Sequence, residues 1–272
     1  MAESKFCPQC GTALTPGSHF CDQCGKEIKS VNNAVASSTE IVANSRENQP
    51  IIPTSKAEVH VSKIGEADFR SVGEAVTNSR PGTRIVVHSG MYDEVVVIDK
   101  PLAIAGQGQI ESVTIRGVLV EEEQVSFSGL TFGTVASDKG DLFLYSCAFT
   151  GKRMPDQGGI QIGQLHFEDN SGLLLLGRAT AVIQECKIEG CPVRVYDNAG
   201  VTLEDCHISD CKTTGVLISS PVSCHLKRCT IISDGTDGDG VVIQSGSMEY
   251  CNVSGSKRYG ISVGSGNVKI TH

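Results

Sequence analysis

The chain has 272 residues, 39% of them apolar, with 30 Gly, 9 Pro, 12 Cys and a net charge of −8. That apolar share suffices for a core and excludes wholesale disorder, and Gly without a three-residue period excludes a collagen-like coil. The longest purely apolar stretches, such as Val95–Ile98 and Leu173–Leu176, run four residues, against the ~20 of a membrane-spanning helix.

The opening MAESKFCPQC has no basic start followed by an apolar run, so no secretory signal is read there and a cytoplasmic, reducing setting is expected. Two cysteine pairs follow, Cys7-Pro8-Gln9-Cys10 and Cys21-Asp22-Gln23-Cys24, each succeeded by Gly (Gly11, Gly25). Two thiolates three positions apart on a tight turn can hold one metal ion, and a second such turn completes a tetrahedron of soft sulfur ligands. Closed thiolate geometry points to structural Zn²⁺ on Cys7, Cys10, Cys21 and Cys24. A unit this short cannot bury a core of its own, so metal binding would supply its folding energy, with Phe6, Leu14 and Phe20 packed around the site. A redox dithiol is the rival reading, but it calls for one such motif beside a strand–helix unit. CPQCG and CDQCG resemble the knuckles of the short zinc ribbons at the N-termini of many bacterial proteins. The ribbon is assigned to residues 1–30.

Residues 31–65 are rich in Ser, Asn and Ala, with three charges of each sign and no sustained periodicity. They are expected to be a flexible linker. Net charge is zero in both of these segments, so the −8 belongs to residues 66–272, with 17 basic and 25 acidic residues. Such a surface repels phosphate backbones and disfavours nucleic acid as its partner.

From Ala67 the spacing of Phe69, Val72 and Val76 predicts an N-terminal helix. A phrase then recurs: AVIQECKI (181–188), VTLEDCHI (201–208), CHLKRCTI (224–231) and SMEYCNV (247–253), with degenerate copies LFLYSCAF (142–149) and VSFSGLTF (125–132). Its anchors Cys186, Cys206, Cys229 and Cys251 lie 20, 23 and 22 residues apart, the period of a solenoid whose repeats bury one another's faces. Within it Val201 and Leu203 alternate with Thr202, and Cys206 and Ile208 with His207, so both pairs point inward. Leu203 and Cys206 are an odd number apart, so the chain must turn a corner at Glu204-Asp205. Gly215-Val-Leu-Ile, Gly240-Val-Val-Ile and Gly260-Ile-Ser-Val supply a third strand per coil. The pattern predicts inward ladders of Cys147, Cys186, Cys206, Cys229 and Cys251 and of Ile188, Ile208, Ile231 and Val253. Glu204, Lys227 and Glu249 would alternate in sign at the corner. The thiols read as small buried core groups, Cys191 and Cys211 among them.

The runs PGTRIVVHSGMY and KPLAIAGQG, with the helix before them, resemble the pectin-lyase-like right-handed parallel β-helices, in particular the NosD-type and F-box-protein repeats. The resemblance covers about residues 66–271. It implies an all-β fold, a right-handed single-stranded parallel β-helix over residues 66–272 behind the small zinc ribbon. Family enzymes carry carboxylates with an Arg or Lys on one exposed face. The best local candidate, Ser233-Asp234-Gly235-Thr236-Asp237-Gly238-Asp239-Gly240, faintly resembles the N-T-D-G element of polygalacturonases but lacks the elements that should follow. It reads first as a turn, then as a calcium loop, and no catalytic residue is assigned.

The reading favoured is a non-enzymatic binding or scaffold protein whose β-helix face meets a protein or glycan, with no membrane partner. A polysaccharide-active lyase or hydrolase and a ribbon-mediated nucleic-acid factor are the alternatives. The final GNVKITH reads as a strand whose open edge favours end-to-end self-association or a docked partner.

Overall fold

A computed structural model describes residues 58–121, 124–151, 160–162, 165–167, 172–234 and 238–272. Cys7, Cys10, Cys21 and Cys24, the packing around them and the expected linker up to residue 57 lie outside the described residues, as does Asp237.

The chain winds as a parallel β-helix with three faces. The front face is a 10-stranded sheet built from one strand per coil: Glu58–Val61, Arg84–Val87, Ala103–Gly106, Val125–Ser128, Asp141–Tyr145, Thr180–Gln184, Gly200–Glu204, Cys224–Lys227, Gly246–Glu249 and Val268–Thr271. The second and third faces share a 13-stranded sheet. Early in the helix three long strands, Gly90–Ile98, Val113–Val120 and Thr131–Ser137, run across both faces. Later coils divide them, as in His207–Ser209 on the second face and Val216–Ser219 on the third. Each of these strands pairs in parallel with its counterpart one coil away, and the registers place Leu203 beside Ile183 and Leu226, and Ile208 beside Ile188 and Ile231.

Strand Glu58–Val61 pairs with Arg84–Val87, so the β-helix begins inside the segment expected to be linker. Its alternating Val59, His60 and Val61 are too short a run to stand out as periodic; partnering by the next coil makes them a strand. The helix is Val72–Asn78, capped by the Ser71 hydroxyl accepting from Glu74 N, and it buries Val72, Ala75 and Val76. Phe69 precedes it and forms a parallel bridge to Val61. Glu94 from the second coil accepts from Val72 N at 2.8 Å and Gly73 N at 3.0 Å, tying the helix to the sheet.

From the strand Val125–Ser128 onward the corner between front and second faces has two residues, and the first is left-handed: Gly129 has φ 63°, and Ser146, Glu185, Asp205, Arg228 and Tyr250 have φ between 50° and 55°. A single left-handed residue turns the chain while its N–H still reaches the next coil, as in Glu185 N to Glu204 O (3.1 Å), Asp205 N to Lys227 O (3.0 Å) and Arg228 N to Glu249 O (2.9 Å). The hydrogen-bond ladder therefore runs round the corner unbroken. The corner between second and third faces is the variable one, from three residues (190–192) to the long excursion 151–171, which carries an antiparallel hairpin, Ile160–Ile162 with Leu165–Phe167.

The interior follows the predicted ladders. Cys147, Cys186, Cys206 and Cys229 are free thiols exposed by no more than 2%, with Leu130 taking the cysteine's place one coil earlier. Cys206 Sγ donates to Ile183 O and Cys229 Sγ to Leu203 O, each at 3.4 Å. Toward the N-terminal end the column widens to hold Phe127, Phe132 and Phe149, whose ring centroids lie 5.2 and 5.6 Å apart. Cys191 and Cys211 close the second-face strands from inside and are fully buried.

Candidate binding face

Outward positions on the front face form two straight ladders. One runs Arg84, Ala103, Ser126, Phe143, Val182, Thr202; the other runs Val86, Ala105, Ser128, Tyr145, Gln184, Glu204. Side-chain size along them is uneven. Ala103, Ala105, Ser126 and Ser128 stand one or two heavy atoms above the sheet and are partly open to solvent. Phe143 and Tyr145 rise over them on one side, Arg84 and Val86 on the other. The result is a trough two strands wide, parallel to the strands, with walls roughly 14 Å apart at the backbone from strand spacing alone.

Its two walls differ in chemistry. Tyr145 is half exposed, and a hydrogen bond to the Glu185 carboxylate raises its hydroxyl pKa above the ordinary phenol value. The far wall is charged: Arg84 Nη1 pairs with Glu58 Oε2 at 3.0 Å, and Glu58 Oε1 lies 3.3 Å from His60 Nε2. Behind it His60 Nδ1 and His88 Nε2 approach to 3.0 Å. An aromatic wall, a hydroxyl-bearing floor and a polar opposite rim can hold an extended, hydroxyl-rich chain by stacking and hydrogen bonding.

Further along the same face is an ionic ladder. Glu204 lies between Gln184 and Lys227, and Glu249 beside Lys227, in the register that the alternation of sign predicted. Gln184 Nε2 donates to Glu204 Oε2 at 2.9 Å, and Lys227 Nζ lies 3.4 Å from Glu204 Oε1. Arg228 from the corner reaches Glu204 and both oxygens of Asp205 at 2.7 Å. The guanidinium holds both carboxyls below the usual carboxylate range. Glu204, Asp205, Lys227 and Arg228 are all ion-paired, so this stretch reads as scaffold.

His207 and His225 are exposed on the second and front faces respectively. His225 Nδ1 lies 3.0 Å from Ser247 Oγ. Asp234 is exposed, whereas Asp239 is 7% exposed with its Oδ1 lacking a hydrogen bond, 3.8 Å from Arg258 Nε. The buried carboxylate thus faces a guanidinium. Among the described residues no three His, Cys, Asp or Glu side chains group as a metal set.

Neither the trough nor the histidine pair was legible from the sequence. Phe143 and Tyr145 stand in the aligned copy LFLYSCAF and Ser126 and Ser128 in VSFSGLTF, so comparing outward positions of neighbouring copies was the signal available. His60 fell in the expected linker.

Residues 102–272 match the family model described as right handed beta helix region, and residues 6–28 match that of the zinc-ribbon domain. A search of curated proteins gives no match. Among solved structures the chain is similar to the pectin methylesterase of Aspergillus niger in penultimately deglycosylated form. The identity is 14% and the TM-score 0.51, covering 80% of this chain and 85% of that one. The deglycosylated form of the same enzyme aligns at 12% identity and a TM-score of 0.45, with the same coverage. At such identity the likeness is one of fold.

Proposed function

Because the chain belongs to the right-handed β-helix family, a fold that serves enzymes and non-enzymes alike, we propose that it is a non-enzymatic binding protein. Its β-helix front face takes an extended glycan, and its N-terminal ribbon is held by zinc. The observation that carries this reading is the trough floored by Ala103, Ala105, Ser126 and Ser128 beneath Phe143 and Tyr145. Stacking of a sugar ring on an aromatic face and hydroxyl-to-hydroxyl bonding are the interactions such a floor and wall offer. A rigid ladder of backbone bonds holds the wall residues in place before any ligand arrives, which limits the entropy lost on binding.

For the ribbon, the donor set itself is the fit test. Four thiols in two C-x-x-C turns match closed tetrahedral Zn²⁺ coordination in number, softness and spacing. Cys7, Cys10, Cys21 and Cys24 would hold the ion, which supplies folding energy and no chemistry.

The test is calorimetric titration of the full chain with soluble oligosaccharides of several backbone types, repeated with Phe143→Ala and Tyr145→Ala. Saturable binding by the parent, weakened at least about tenfold in both variants, supports the reading. Binding unaffected by either substitution overturns the trough, and consumption of the oligosaccharide overturns the non-enzymatic part.

A further inference from the structure

Given the trough as a glycan site, on which this rests, we propose that its ligand is a chain of amino sugars with free, protonated amines, and that Asp141 and Glu185 select it. The two carboxylates flank the aromatic wall. Asp141 opens the strand Asp141–Tyr145 and shares its outward side with Phe143 and Tyr145. Glu185 is the left-handed corner residue one coil on, directly after Gln184, the register partner of Tyr145. Asp141 is half-buried and Glu185 exposed.

Neither carboxylate meets a cation. Asp141 Oδ1 accepts from Thr180 Oγ1 at 2.5 Å, and Glu185 accepts from the Tyr145 hydroxyl. Among the described residues no Lys, Arg or His pairs with either. The contrast with the ionic ladder is direct, since there Glu204 and Asp205 share Arg228 at 2.7 Å. Cations around the trough are engaged elsewhere. Arg84 on the far wall is held by Glu58 at 3.0 Å. Lys100, ahead of the floor strand, is turned to Thr77 O at 3.3 Å and lies 3.7 Å from Asp99 Oδ1. The aromatic wall thus carries two negative charges and faces a wall whose Arg84 is neutralised.

Hydrogen-bond polarity points the same way. Because the Tyr145 proton is directed to Glu185, its oxygen is left to accept, and ionised carboxylates accept only. Every polar group on this wall therefore calls for a donor from the ligand. The floor is permissive, since the Ser126 and Ser128 hydroxyls have no partner among the described residues and a hydroxyl either donates or accepts. A protonated amine brings three donors and a positive charge, and the faces of Phe143 and Tyr145 attract such a charge. A uronate or sulfated chain sets its anions against Asp141 and Glu185 with no donor between them. A neutral chain keeps stacking and hydroxyl bonds but gains nothing from the two charges.

Placement favours a polymer over a single cation. The carboxylates stand at opposite ends of the wall, and strand rise alone puts the Asp141 and Tyr145 positions roughly 13 Å apart. One small ammonium ion cannot meet both. Amines repeated along an extended backbone can, with sugar rings stacked on Phe143 and Tyr145 between them. A lysine-rich peptide offers the same charges, but neither rings for the aromatic wall nor hydroxyls for the serine floor.

The experiment is calorimetric titration of the full chain at pH 6 with four probes: a glucosamine oligomer, its N-acetylated form of equal length, a galacturonate oligomer and oligolysine. The glucosamine oligomer is expected to bind tightest, by about tenfold over the N-acetylated form, as two exposed ion pairs allow. Asp141→Asn combined with Glu185→Gln, which keeps an acceptor for the Tyr145 hydroxyl, should abolish that advantage and leave the N-acetylated oligomer within about twofold of its wild-type affinity. Galacturonate or oligolysine binding as tightly as the glucosamine oligomer, or an advantage that survives both substitutions, overturns the proposal and leaves the trough as a glycan site. No saturable binding by any of the three saccharides overturns the trough itself, and the proposal with it. Should the double variant fail to fold, the ranking of probes on the wild-type chain decides alone.

Discussion

Arg228 Nε and Nη2 bond both carboxylate oxygens of Asp205 at 2.7 Å, and the two residues occupy the same left-handed corner position one coil apart. Because Arg228 also takes Glu204, one guanidinium lowers two carboxyl pKa values, each chiefly through its hydrogen bond. A carboxyl with a lowered folded pKa binds its proton more weakly folded than unfolded. Its stabilisation is present above the unfolded value and is lost as pH falls through the folded one. Arg228→Met should therefore lower the melting temperature at pH 7, with the difference from wild type shrinking below the usual carboxylate range. Thermal melts between pH 2 and 7 check this, and a pH-independent difference would refute it.

The corner itself can be probed at Glu185, with φ 54°. A left-handed residue with a Cβ is strained, and a β-branched one more so. Glu185→Gly and Glu185→Val both remove the carboxylate beside Tyr145, so their difference isolates the backbone. The glycine variant should be the more stable by about 1–2 kcal/mol in urea unfolding.

The thiol column predicts an alkaline limit. A neighbouring thiol first, and burial with it, push Cys186, Cys206 and Cys229 up to about 12. Burial alone leads for Cys191 and Cys211, also at about 12. Above the ordinary thiol pKa of about 8.5 the unfolded chain loses protons that the folded one keeps. Stability from these groups is therefore whole below that pH and declines as pH rises toward 12. Native-state labelling at pH 8 should leave them unmodified, and Cys206→Ala, which opens a small cavity, should cost about 1–2 kcal/mol.

Gly106 ends the front-face strand Ala103–Gly106 beside Gly129, and a Cβ there would collide with the Gly129 carbonyl. Because backbone cannot retreat from within a ladder, Gly106→Ala should destabilise by more than about 2 kcal/mol. Equal stability by denaturant titration would contradict the packing at this corner.

Metal removal should separate the two parts of the chain. Chelation is expected to release one zinc per chain and to free Cys7, Cys10, Cys21 and Cys24 for labelling. The far-UV spectrum and melting of the β-helix should persist, since its thiols are buried and its core contains no ligand set among the described residues. Loss of the β-sheet signal on chelation would argue against this independence.

Sequence alone carried much of the fold because a solenoid writes its contacts at a fixed period. The odd spacing of Leu203 and Cys206 required a corner, and Asp205 is that corner. The alternation of Glu204, Lys227 and Glu249 required adjacency, and they are adjacent. The start was less legible, since Glu58–Val61 becomes a strand through a partner 26 residues later, and Phe69, at helical spacing with Val72 and Val76, instead bridges Val61. The trough was missed for a related reason. It is defined by small side chains between large ones, and that contrast appears only when outward positions of four coils are set in register.

From the strand Val125–Ser128 onward the corner between front and second faces keeps to two residues, whereas over the same coils the one between second and third faces ranges, where strands divide there, from three residues to the excursion 151–171. Growth and loss of chain at that seam leave the rungs on either side in step. The lineage of such a protein could remodel its outline there freely, as one lengthens a balcony without moving the staircase, and variation among its kin should gather along this single edge.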